Sequence, residues 1–192
     1  MAKIGLIAMS AKPYHAGHDG LVRLAASEND EVHLYVSTTD RDNVSGAAMA
    51  RVWAEIIEPT LPPNVKVTYG GSPVGNIWKE LGEANESKSD DVFQIYSDPD
   101  DIVTNFPNVR IAKYAGDLLN RGKVIQRPVQ RTETVDVSGT ELRGYLAAND
   151  KRSFLKKLPK GVDGEAYWAA MKAGSEALAE AAAKKRSRRA RT

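Results

Sequence analysis

The feature that most constrains this chain is the alternation of short apolar runs with longer stretches of helical periodicity along its first hundred residues. Residues 3–9 are almost uninterruptedly apolar, the character of a strand buried on both faces. Residues 17–26 follow with Leu21, Leu24 and Ala25 at helical spacing. The same sequence of signals recurs as a strand over 31–37, a helix over 46–57 stopped by Pro59, and a strand over 65–69. A helix over 74–84 and a strand over 91–96 complete the series. Strands alternating with helices predict an α/β fold, a Rossmann-like doubly wound parallel sheet with flanking helices. Ligands of such sheets sit beyond the carboxyl ends of the strands, so the loops after Met9, Ser37, Tyr69 and Tyr96 are where chemistry is expected.

Further along, the spacing predicts a helix over 111–120, a short strand over 123–126 and a helix over 140–148. A Pro- and Gly-containing connection over 158–164 leads to an Ala-rich helix over 165–185. The expected organisation is one main domain over 1–158, a C-terminal helical extension over 159–185 and a basic tail over 186–192 without fixed structure. Of 27 Lys and Arg, six lie in the last nine residues, which leaves 21 against 25 Asp and Glu and a body near −4. Such a block is read as a solvated end or as an arm for a polyanion. Hydrophobic content of 42% and charged content of 27% exclude a disordered class. No apolar run reaches the roughly 20 residues that a membrane-spanning helix needs, so no membrane partner is expected. With no cysteine there is no disulfide and no thiolate metal site, which fits a reducing cytoplasm.

Two segments carry chemistry. In the first, Ser10-Ala11-Lys12-Pro13-Tyr14-His15-Ala16-Gly17-His18, two of the chain's three histidines straddle the start of a helix that follows a buried strand. A helix start offers unpaired N–H groups and a positive dipole end, and Gly17 lets a phosphate approach the backbone. Imidazole donors at this place would stabilise charge on a phosphate. The alternatives are ordinary loop histidines or a metal pair, and no third histidine or cysteine lies nearby to complete a metal set. In the second, Ser138-Gly139-Thr140-Glu141-Leu142-Arg143, Ser138 and Thr140 are candidate helix caps whose hydroxyls and amides can meet phosphate oxygens. Arg143, one turn in, offers a planar fork for phosphate. The bland alternative is a plain capped helix with a surface arginine.

The first segment resembles the HxGH signature of the nucleotidyltransferase superfamily, and the second resembles its ISGTxxR signature. They occur in the family's order, with His18 and Ser138 120 positions apart. The superfamily includes mononucleotide adenylyltransferases, phosphopantetheine adenylyltransferase, ATP sulfurylase and CTP-dependent cytidylyltransferases; nucleotidyltransferase-like proteins of bacteriophages are also similar. Three positions depart from the pattern: Met9 where glycine is common, Ala11 where an aromatic is common, and Lys12 where relatives carry Asp, Asn or Gln. Class I aminoacyl-tRNA synthetases share the histidine loop, but this chain has no KMSKS-like segment.

The resemblance implies attack by an acceptor's phosphate oxygen on the α-phosphorus of a nucleoside triphosphate, ATP in preference to CTP, with pyrophosphate leaving. It places His18 at the α-phosphate, His15 at the triphosphate, and Ser138, Gly139, Thr140 and Arg143 at the β and γ phosphates, with Ser10, Gly17 and Asp98 as further nucleotide-binding residues. Lys12 is taken as a phosphate ligand from its place at a strand end. Mg²⁺ is expected to arrive with the triphosphate rather than on a protein ligand set. The first-choice acceptor is a mononucleotide such as nicotinamide mononucleotide; a phosphorylated alcohol receiving CMP is the runner-up. A non-catalytic member that binds nucleic acid through its basic tail is the reading from another class. Oligomeric state is left open, and the expected location is the cytoplasm, the host's if the chain is phage-encoded. Ser37, Thr38 and Arg41 are weaker candidates for an acceptor pocket, Trp53 and Trp78 are expected in the core, and His33 is expected to be structural.

Overall fold

The computed structural model of the chain describes residues 1–130 and 133–189. Five strands, β1 (Lys3–Met9), β2 (Glu31–Val36), β3 (Val65–Tyr69), β4 (Val92–Ser97) and β5 (Val124–Pro128), form one sheet in the order β3-β2-β1-β4-β5. Every pairing is parallel, with Leu6 of β1 opposite His33 on one side and Ile95 on the other. β1 is the central strand, and its long apolar run follows from that position, because neither of its faces meets water. The order reverses direction at β1, as in Rossmann-like folds, and the α/β expectation holds.

The helices are α1 (Ala16–Glu28), α2 (Gly46–Val52), α3 (Pro73–Glu86), α4 (Pro99–Asn105), α5 (Asn108–Asn120), α6 (Gly139–Ala147), α7 (Lys151–Leu155) and α8 (Gly164–Arg189). The chain divides into two compact units: the first comprises residues 1–10, 17–37 and 61–136, the second residues 11–16, 38–60 and 137–192. The second unit is thus assembled from three separated stretches, and the boundary expected at residue 158 falls inside it.

The first unit is the sheet with its helices. Ile77 and Leu81 of α3 and Ile111 and Leu118 of α5 pack with Leu6, Phe93 and Ile95 in one buried cluster. Each such side chain contributes roughly 1.5–3 kcal/mol by leaving water. On β1 the intervening Gly5 points the other way, where a Cβ would come within 3.0 Å of Asn29 at the end of α1. Helices therefore cover both faces of the sheet. α4 was not expected, since Asp98-Pro99-Asp100-Asp101 reads as a turn. Here Asp98 caps the helix by accepting from the Asp101 amide at 2.9 Å, and Pro99 occupies the first turn, where its missing N–H costs nothing.

The second unit is helical. Ser45 caps α2, whose expected continuation to residue 57 runs as a π-helical turn (Trp53–Ile57) and then a 3-10 turn (Glu58–Thr60) that accommodates Pro59. α8 packs on α2, and Tyr167, Trp168, Met171 and Gly174 of α8 are buried. The C-terminal helix is thus part of this unit's core rather than an appendage to it. α8 continues through Arg186, Arg188 and Arg189, residues expected to lack fixed structure, whereas 190–192 of the basic tail lie outside the described residues. No helix among the described residues is long and apolar enough to cross a membrane.

Candidate functional site

The loop after β1 leaves the sheet at Ser10 and enters the second unit over residues 11–16. Ala11, 1% exposed, has φ 47°, in the left-handed region that a residue with a side chain seldom adopts. The Lys12–Pro13 peptide is cis. Lys12, Tyr14 and His15 are all buried, at 2%, 0% and 5% exposure. A lysine so enclosed is not a solvated loop charge. Burial is the main influence lowering its pKa, the Arg41 charge lowers it further, and Asp40 opposes them.

Arg143, on α6, meets this loop within the second unit. Its Nη1 donates to the Lys12 carbonyl at 2.9 Å and its Nη2 to Thr140 Oγ1 at 3.0 Å, while Nε pairs with the Asp42 carboxylate at 2.8 Å. The Arg143 carbonyl accepts from Asn43 Nδ2 at 3.1 Å. The side chain is 11% exposed and fixed along its whole fork, which rules out a free surface arginine. Gly139 makes this approach sterically feasible: a Cβ there would lie 3.0 Å from Arg143 Nη1 and 3.4 Å from the Lys12 carbonyl oxygen. Ser138 caps α6, accepting from the Glu141 amide at 3.1 Å. Thr140 is exposed beside it.

Lys12, His15, Ser138, Gly139, Thr140 and Arg143 accordingly belong to one unit, with Arg41 beside Lys12. Ser10, Gly17, His18 and Asp98 belong to the other. Gly17 and His18 are half-buried in the first turn of α1, where the carboxylate of Asp19 is held by Arg23 Nε at 2.7 Å. Asp98 is spent as the cap of α4, and burial, reinforced by Asp98 and Asp100, raises the pKa of neighbouring Asp101. Asp42 and Asn43, which hold Arg143, were missed because an Asp-Asn pair in a polar loop reads as turn chemistry. Of the other expectations, Trp53 is buried and Trp78 packs on Phe106 and Tyr114. His33 is tied by Nδ1 to Glu80 at 2.6 Å and by Nε2 to Glu31 at 3.3 Å.

A groove of about 910 Å³ lies elsewhere in the second unit, along α2 and α8. Alanines such as Ala48, Ala166 and Ala170 line it, and no residue of the two signature segments does. Among the described residues no group of three or more His, Asp or Glu is arranged to hold a metal ion.

Residues 4–70 match the family model of the citrate lyase ligase C-terminal domain. A provisionally assigned nicotinate-nucleotide adenylyltransferase from Vibrio parahaemolyticus superposes with a TM-score of 0.50 at 20% identity, over 78% of this chain and 89% of that one. Thermotoga maritima TmcAL, solved with alpha-thio ATP, gives a TM-score of 0.50 at 12% identity, over 89% of this chain. The chain has a nucleotidyltransferase-like fold. It spans 55% of the length of the Thermotoga protein and so matches a part of it. No curated protein matches the chain. Within a nucleotidyltransferase-like fold, the loop after the central strand and the start of α6 are the segments that carry this chain's two signatures.

Proposed function

We propose that the chain is a nucleotidyltransferase that moves AMP from ATP to a phosphate-bearing small molecule, a mononucleotide such as nicotinamide mononucleotide, and releases pyrophosphate. The observation that carries this reading is the bond between Arg143 and the Lys12 carbonyl, which joins the two signatures into one cationic corner. The name of the Vibrio neighbour and the alpha-thio ATP bound to the Thermotoga neighbour support the choice of an adenylyl donor.

In the proposed reaction an acceptor phosphate oxygen bonds to the α-phosphorus, the bond from that phosphorus to the bridging oxygen breaks, and pyrophosphate carries away the electron pair. No protein nucleophile is required, so the protein's work is alignment and neutralisation of charge. Arg143 and Lys12 hold the β and γ phosphates, with Thr140 and the α6 amides as donors; His15 binds the triphosphate, and His18 stabilises charge on the α-phosphate. Mg²⁺, carried by the triphosphate and water, would share the neutralisation. Asp42 is the carboxylate nearest the Arg143 guanidinium, and it is engaged in the ion pair.

The test is incubation of the chain with labelled ATP and, separately, CTP against a panel of phosphorylated acceptors, following pyrophosphate. The wild type is expected to turn over with ATP and a mononucleotide, and His18→Ala to lose turnover while keeping its circular dichroism spectrum. Near-normal pyrophosphate release by that variant would remove His18 from the chemistry. A second reading is favoured by the exposed basic turns of α8, Lys184 to Arg189: a non-catalytic chain that binds nucleic acid. Salt-sensitive polynucleotide binding that is lost on deleting 184–192, with neither triphosphate bound, is the result that reading requires.

A further inference from the structure

The loop that bears Lys12 and His15 is fastened from a part of the chain that neither signature contains. Tyr167 of α8, fully buried, donates its hydroxyl to the Tyr14 carbonyl at 2.8 Å. The Tyr14 ring is itself buried against Trp53, with centroids 4.6 Å apart. On the other side of His15, the Ala16 amide donates to the Lys157 carbonyl at 2.9 Å. Lys157 in turn reaches Glu141 of α6 through Nζ at 3.1 Å, two residues before Arg143. His15 therefore lies between two residues whose backbones are both held by the C-terminal segment.

We propose that Tyr167 is a positioning residue for nucleotidyl transfer: its hydroxyl fixes the backbone at Tyr14 and so sets the placement of Lys12 and His15 toward the triphosphate. This inference rests on the function proposed above. Burial keeps the phenol protonated, so the hydroxyl is a donor across the working pH range. Removing it takes away the hydrogen bond by which α8 holds the Tyr14 backbone, and the loop there is held less tightly. A shift of about 1 Å in a catalytic group costs on the order of a hundredfold in rate. Affinity for the triphosphate changes less, because Arg143 keeps its anchors on Thr140 and Asp42, outside the loop.

The test is Tyr167→Phe, which deletes the hydroxyl and keeps the ring against Phe154. Phe154→Leu serves as the comparison: it perturbs the same core but leaves the hydroxyl bond in place. Two readouts are needed, amide hydrogen exchange of residues 11–16 and steady-state turnover. Tyr167→Phe is expected to speed exchange at Tyr14 to Ala16 with little change in the sheet. It should lower kcat by at least about tenfold while KM for ATP changes by less than about threefold, since misalignment is felt mainly in the transition state. Phe154→Leu is expected to lower the melting temperature and leave kcat near wild type. Unchanged loop exchange in Tyr167→Phe, or faster exchange with unchanged kcat, overturns the proposal. A wild-type chain inert toward every nucleotide and acceptor overturns the functional reading instead, and the exchange result still decides whether the hydroxyl fixes the loop.

Discussion

The guanidinium of Arg143 donates to the backbone carbonyl of Lys12 at 2.9 Å, joining residues 131 positions apart in the chain. The contact is made to a main-chain oxygen, so the identity of residue 12 does not set it; Gly139 does, by leaving room. Arg143→Ala is expected to weaken ATP binding by roughly ten- to a hundredfold, since a hydrogen bond to a charged group contributes about 1.5–3 kcal/mol. Arg143→Lys keeps the charge but loses the fork and should recover only part of that affinity. Titration calorimetry with a non-hydrolysable ATP analogue measures both. Wild-type affinity in the alanine variant would take the residue out of the nucleotide site.

Lys12 shows the opposite balance between stability and ligand. Its folded pKa lies below the usual lysine value, chiefly through burial, so the charged form is less comfortable folded than unfolded. The resulting cost to stability is fully present below the folded pKa and disappears as pH rises through it to the unfolded value. Lys12→Met fills the same space without a charge and is expected to match or exceed the wild-type melting temperature at pH 7, while binding ATP more weakly. Thermal melts and calorimetry on one preparation check the pair of effects. A melting temperature lower by several degrees would contradict the burial cost.

The first unit was the more legible in sequence because its signals are local. The run over 3–9 and the strands over 65–69 and 31–37, the last observed over Glu31–Val36, are read from consecutive residues whose burial is dictated by their place in a parallel sheet. The second unit was not, because its core joins stretches that are far apart: Tyr14 meets Trp53 and Tyr167, and no local periodicity records such a meeting. The same holds for the site. Ser138 as a cap was visible from the residues after it, whereas the hold of Asp42 and Asn43 on Arg143 depends on a fold that brings a loop to a helix about a hundred residues away. α4 was concealed for a different reason, since Asp followed by Pro begins turns and helices alike.

His33 supplies a pH dependence in the first unit that is separate from the site. Its Nδ1 bonds Glu80 at 2.6 Å, and Tyr35 donates to the same carboxylate; Glu31, paired with Lys66, faces Nε2. The Glu80 bond is the largest influence on His33 and raises its pKa above the ordinary histidine value. A raised folded pKa stabilises the fold fully below the unfolded value and loses that contribution as pH rises through the folded one. Urea melts at about pH 5.5 and pH 8.5 bracket the ordinary histidine range and should show the wild type losing stability between them. Glu80→Gln should flatten that difference. An equal decline in Glu80→Gln would assign it to other groups.

Two helix glycines should respond to the same substitution with opposite signs. At Gly174 of α8 an added Cβ would lie 2.6 Å from the Ala48 Cβ and 3.1 Å from the Ser45 Cβ, atoms attached directly to α2 and its cap. Neither can rotate away, so the helices must separate, at a cost of about 1–3 kcal/mol. At Gly82 of α3 an added Cβ meets nothing within 4 Å, and alanine there restricts the unfolded chain and favours the helix by up to about 1 kcal/mol. For a chain of this size each kcal/mol moves the melting temperature by roughly 2–4 °C. Gly174→Ala is therefore expected to melt several degrees below the wild type and Gly82→Ala slightly above it. A neutral Gly174→Ala would mean that α8 and α2 are not in close contact at that crossing.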